Sequence, residues 1–89
     1  MSRQRNLEAK KLFVGPTQWK AMEAADLIGL PDDFDVMGMG EMLAGRGFDL
    51  ILVMLPANFA TSAHRDAMNE WVQYLQCRLF VGGSLRILN

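Results

Sequence analysis

The sequence predicts the α/β class: a small three-layer sandwich around a mainly parallel four-stranded sheet, with strands and helices alternating. Three observations carry this. Residues 48–55 form an almost unbroken apolar run, Phe-Asp-Leu-Ile-Leu-Val-Met-Leu, entered through Gly45-Arg46-Gly47 and ended by Pro56. The run is too short to span a bilayer and has the length of a strand buried on both faces, which needs a layer on either side. Around it, β-prone segments alternate with segments of helical period, the pattern of crossover units and parallel sheets. Finally, 89 residues with 51% hydrophobic and 21% charged side chains make one core and lie outside the composition of disordered chains.

Residues 1–9 precede any periodic signal and are expected as a flexible N-terminal arm, leaving 10–89 as a single domain. Leu12-Phe13-Val14 reads as the first strand, stopped by Gly15-Pro16-Thr17, and these three open a helix over 17–28. Trp19, Met22, Ala25 and Ile28 recur at intervals of three and define its apolar side, which Ala21, Ala24 and Leu27 widen, so Trp19 is expected in the core. Gly29 supplies a left-handed C-terminal position and Leu30-Pro31 prevents continuation. From 32 to 38, Phe34 and Val36 alternate with Asp33 and Asp35, as on a half-exposed edge strand with an acidic wet face. Residues 39–44 are expected to make one or two helical turns.

The central run follows, then a loop over 56–60. Thr61 or Ser62 caps the longest helix, expected to run to Leu79 with His64, Met68, Trp71 or Val72, Leu75 and Leu79 on its apolar stripe. Gly82-Gly83 then breaks the chain before a last strand over 84–88, whose direction is left open. The most apolar strands, 12–14 and 48–55, belong in the middle of the sheet, with the acidic and C-terminal strands outside them.

Nine basic and ten acidic residues give a net charge of −1, so the chain as a whole offers no long-range attraction to nucleic acid or to an anionic membrane. A weak nucleic-acid contact through Arg3, Arg5, Lys10 and Lys11 is the one local alternative. The single cysteine, Cys77, excludes an intrachain disulfide framework and suits a reducing compartment. The charged first residues contain no apolar signal core, and a cytoplasmic location is expected.

No catalytic set, cofactor or metal site is assembled from the sequence. His64 is the only histidine, and its neighbours Ser62 and Asp66 point to other sides of a helix. Cys77 lies more than three turns from it. Asp32, Asp33 and Asp35 lack the spacing of a calcium loop and are expected as a solvated edge. Asp49, at the mouth of a buried strand, is expected to be buried against Arg46 or Arg86. In an open parallel sheet, ligands gather beyond the carboxyl ends of the strands. A small-molecule or nucleotide site there would draw on Thr17, Gln18, Gly40, Asn58, Thr61 and Ser62, although no Walker lysine or complete glycine fingerprint is present.

Two stretches resemble parts of known families. Gly45-Arg46-Gly47-Phe48-Asp49-Leu50-Ile51-Leu52-Val53 looks like the lead-in and strand before the acidic motif of some P-loop helicases and phage terminases, but Met54-Leu55-Pro56 follows where the acidic pair would stand. The central strand, the long helix and Leu79-Phe80-Val81-Gly82-Gly83-Ser84-Leu85 are similar to the later half of class I methyltransferases, without their glycine loop. Each resemblance covers under half of the chain and implies a fold rather than an activity.

The function expected from these residues is a non-enzymatic protein-interaction or regulatory domain, of the kind a phage or mobile element carries as an accessory factor. It would dock on a protein partner or form a homodimer, using Trp19, Met39, Met42 and Trp71.

Overall fold

The computed structural model describes residues 4–41, 43, 45–54 and 62–88, with side chains of the last stretch from Arg65 onward. It is an α/β sandwich. Strands β1 (Lys11–Gly15), β2 (Phe34–Gly38), β3 (Phe48–Met54) and β4 (Leu79–Leu88) form one sheet in the order β2-β1-β3-β4, every neighbouring pair parallel. The two most apolar runs are central, and the acidic and C-terminal strands are the edges, as their sequences require. The last strand is parallel.

Helix α1 (Gln18–Leu27) joins β1 to β2, and α2 (Ser62–Gln76) joins β3 to β4. Side chains alternate along each strand, and the two faces receive different helices. Leu12, Val14, Met37, Ile51 and Val53 pack with Met68 and Leu75 of α2. Phe13, Phe34 and Val36 pack with Ala21 and Ala25 of α1. No helix among the described residues is long and apolar enough to cross a membrane.

Helix α1 buries only part of the apolar side its spacing suggests. Ala21 and Ala25 face the sheet, whereas Trp19 is 67% exposed and Ile28 59%. Close approach decides this. A Cβ on Gly15 would lie 3.0 Å from the Ala21 Cα and Cβ, so only a small-residue face fits against β1. The helix begins at Thr17, whose hydroxyl accepts from the Lys20 amide at 3.1 Å. It ends in a Schellman motif, with Gly29 at φ +68° and amides of Gly29 and Leu30 donating to the Asp26 and Ala25 carbonyls. Thr17→Ala leaves one first-turn amide without its cap and is expected to cost about 1 kcal/mol in urea unfolding.

Other expectations are corrected. Residues 39 and 40 form a turn and neither Glu41 nor Leu43 is helical, while Met42 and Ala44 lie outside the described residues. Helix α2 stops at Gln76, and Leu79 opens β4 instead of closing the helical stripe. Gly82-Gly83 lies within β4, as an irregularity in which Phe48 pairs with Leu79 but Leu50 with Ser84. Gly82 has φ +85°, and a Cβ on Gly83 would lie 3.0 Å from the Asp49 and Phe80 carbonyl oxygens, so the pair bends the strand where backbones meet. At the same place Phe48 is buried and Asp49 exposed, which removes the need for a buried Asp49 ion pair.

Candidate functional site

The two edges of this sheet are built differently, and the difference is the most distinctive feature of the molecule. Along β2 the amides alternate in direction. Met39, in phase with Asp35 and Met37, donates to the Gly15 carbonyl of β1 at 3.0 Å, so the amides of residues 34, 36 and 38 point outward. Each has a local acceptor. Phe34 donates to the Pro31 carbonyl at 3.4 Å, Val36 to Asp35 Oδ1 at 2.9 Å and Gly38 to Glu41 Oε2 at 2.6 Å.

Arg5 locks both capping carboxylates in place. Its Nε and Nη2 donate to Asp35 Oδ1 and Oδ2 at 2.8 and 3.1 Å, and its Nη1 to Glu41 Oε1 at 3.2 Å. The Asn6 amide adds a bond to Asp35 Oδ1 at 2.9 Å, and Arg46 Nη1 one to Oδ2 at 2.9 Å. The other Arg46 nitrogen reaches the Asn6 and Ala9 carbonyls, so one guanidinium fastens both the N-terminal segment and the approach to β3. Two guanidiniums and two carboxylates balance in charge.

Asp35 is fully buried, not on a wet edge as its alternation with Phe34 suggests. Burial, the largest single influence, pushes its carboxyl upward. The hydrogen bonds from Arg5, the Asn6 amide and Arg46, with the Arg5 charge, outweigh burial and hold the group below its ordinary value. With five donors around its two oxygens, this carboxylate is a structural anchor with no acceptor site left for proton transfer. Asp33 is exposed and pairs with Lys11 at 2.9 Å.

Strand β4 is the opposite case. Among the described residues no strand lies beyond it and no side chain caps one of its amides. Phe80, Val81 and Ile87 are exposed on it by 42%, 107% and 46%, and Arg86 is its only charged residue. Natural edge strands are commonly blunted by charge, proline or a cover. Here the Gly82-Gly83 irregularity interrupts only the first half, while the register from Ser84 to Leu88 against β3 is regular.

The residues singled out from sequence do not form one cluster. Trp19 is exposed on α1, on the opposite side of the sheet from Met39 and Trp71, which pack against the α2-side core. Trp71 stacks on Tyr74 at 5.1 Å, and the Tyr74 hydroxyl accepts from the Leu43 amide. Met42 lies outside the described residues. In the strand-end set, the Thr17 hydroxyl is used as a cap, Gln18 starts α1 and Gly40 is exposed in the turn after β2. Asn58, Thr61 and the Ser62 side chain lie outside the described residues. No three or more His, Cys, Asp or Glu side chains among the described residues converge as a metal site.

Sequence reasoning placed Arg5 in a basic cluster and Arg46 against Asp49, and so missed their pairing with Asp35 along with the parts played by Asn6 and Glu41. The available signal was Asp35 itself, a carboxylate between Phe34 and Val36-Met37 that must find cations if both faces of its strand are covered. Comparisons of the chain with protein-family models, with curated proteins and with solved structures find no match.

Proposed function

We propose that the chain is a non-enzymatic protein-interaction domain that binds by accepting a strand along β4. The single observation that supports this is the asymmetry of the sheet: every outward amide of β2 is capped, whereas among the described residues nothing covers β4, whose exposed side chains are largely apolar. An unpaired row of backbone donors and acceptors is a template for an added strand. Main-chain bonds then supply affinity, and alternate side chains supply selectivity. The Arg5 network gives the domain a rigid, closed far edge, so binding is confined to one side.

The test uses synthetic ten-residue strand-forming peptides, including one with the sequence of residues 79–88, and follows amide exchange of the intact chain. Binding is expected to protect alternate amides of β4 while leaving β2 unchanged. Val81→Lys with Ile87→Lys is expected to abolish that protection without loss of fold, because both side chains already face solvent. If every peptide leaves β4 unprotected and the chain does not self-associate, the reading is wrong.

A further inference from the structure

We infer that the strand received by β4 is the β4 of a second copy, running antiparallel about a two-fold axis at Leu85, so that two four-stranded sheets join as one. This rests on the reading of β4 as an open docking edge. The closed β2 edge excludes the other self-pairing, β4 of one copy onto β2 of the next, because the amides of Val36 and Gly38 are already taken by Asp35 and Glu41. Head-to-tail growth is therefore blocked, and the self-pairing that remains is isologous and closed.

Charge and space select the register. In an antiparallel pair about an axis normal to the sheet, opposite residues share a face, and alternation then fixes which positions can meet. Leu85 pairs with Ile51 on the α2 side, and Arg86 pairs with Leu52 on the α1 side. With Arg86 on the axis, two guanidiniums would stand directly opposite each other, which is unfavourable. An axis at Ser84 would bring Arg86 against Gly82, where the positive φ turns the backbone out of register. Placing Leu85 on the axis sets Arg86 opposite the exposed Ser84 of the second copy, and Ile87 opposite Gly83, which has no side chain to obstruct it. Residues 83–87 of the two copies then pair, and of the regular half only the terminal Leu88 falls opposite Gly82. Leu85 and Ile87 from both copies form one apolar patch on the α2 side.

Light scattering and sedimentation of the full chain over a dilution series are expected to show a reversible species of twice the 10.0 kDa chain mass. Ser84→Lys creates two symmetry-related like-charge pairs with Arg86 and is expected to raise the dissociation constant about tenfold. Ser84→Glu is expected to lower it by a similar factor, and Ser84→Lys combined with Arg86→Glu to restore it. Both positions are exposed, so circular dichroism should be unchanged. A monomer at every concentration that still binds strand peptides overturns the self-pairing but keeps the docking edge. A monomer that binds none overturns both. A dimer indifferent to the charge series overturns this interface.

Discussion

Replacing Asp35 by alanine is expected to destabilise the fold by about 3 kcal/mol, because a buried charge network loses its centre. Asp35 has no solvent exposure, whereas the Arg5 and Arg46 side chains retain 28% and 21%. Removing one member of a fully buried pair costs roughly 3–5 kcal/mol. The lower end applies here, since the stranded guanidiniums can recover some hydration. The amides of Asn6 and Val36 also lose their acceptor, and the second of these reopens part of the β2 edge. Arg5→Ala should cost less, about 1–2 kcal/mol, because Arg46 still pairs with Asp35. The two substitutions share partners, so their combined effect should fall short of the sum. Urea unfolding with an unchanged slope measures all three. A loss below about 1 kcal/mol for Asp35→Ala would show that the network does not hold the edge.

The same carboxylate fixes the sign of an acid dependence. Its folded-state value is lowered, so as the pH falls the unfolded chain binds a proton at this residue first. Stability from Asp35 is therefore full above the unfolded carboxylate value of about 3.9 and is lost as the pH falls through the folded one. Asp35→Asn should flatten this part of the acid slope while keeping most of the side-chain volume. If wild type and variant show parallel stability profiles between about pH 5 and pH 2, the carboxylate is not held by its cations.

The layers of the fold were legible because each follows from local chemistry. The run from Phe48 to Met54 can be buried on both faces only in the middle of a sheet, and the spacing of Met68 and Leu75 places α2 against it. Gly29 before Leu30-Pro31 announced a helix end in the same way. The edge chemistry was not legible, because it joins residues thirty positions apart. Alternation assigned Asp35 to water on the premise that an edge strand keeps one wet face, yet the N-terminal segment and Arg46 cover that face. Trp19 was misplaced for a related reason: interval-three spacing names several possible stripes, and the close contact of Gly15 with Ala21 selects the small one. The glycines of β4 read as a break because their role, admitting the Phe48 and Asp49 carbonyls, belongs to a strand distant in sequence.

Gly38→Ala is the second large effect expected, again about 3 kcal/mol, and it is steric in origin. A Cβ at this position would lie 2.6 Å from the Gln18 amide nitrogen and 2.9 Å from both the Cα and carbonyl carbon of Thr17. All three are backbone atoms in the first turn of α1, so no side chain can swing aside. Either α1 lifts from β2 or the end of β2 shifts, and overpacking of this kind costs about 1–3 kcal/mol. A shift of β2 would also strain the bond from the Gly38 amide to Glu41 and, through Glu41, the hold of Arg5. Thr17→Ala perturbs the same helix end by removing only its cap, so the difference between the two substitutions isolates the clash from fraying. The pair should be less than additive, since a lifted helix start has already lost its cap geometry. Amide exchange should quicken at Val36 and Gly38 in the Gly38→Ala variant but not in Thr17→Ala. Equal losses in the two would place the effect in helix capping and show that backbone contact between β2 and α1 does not secure the closed edge.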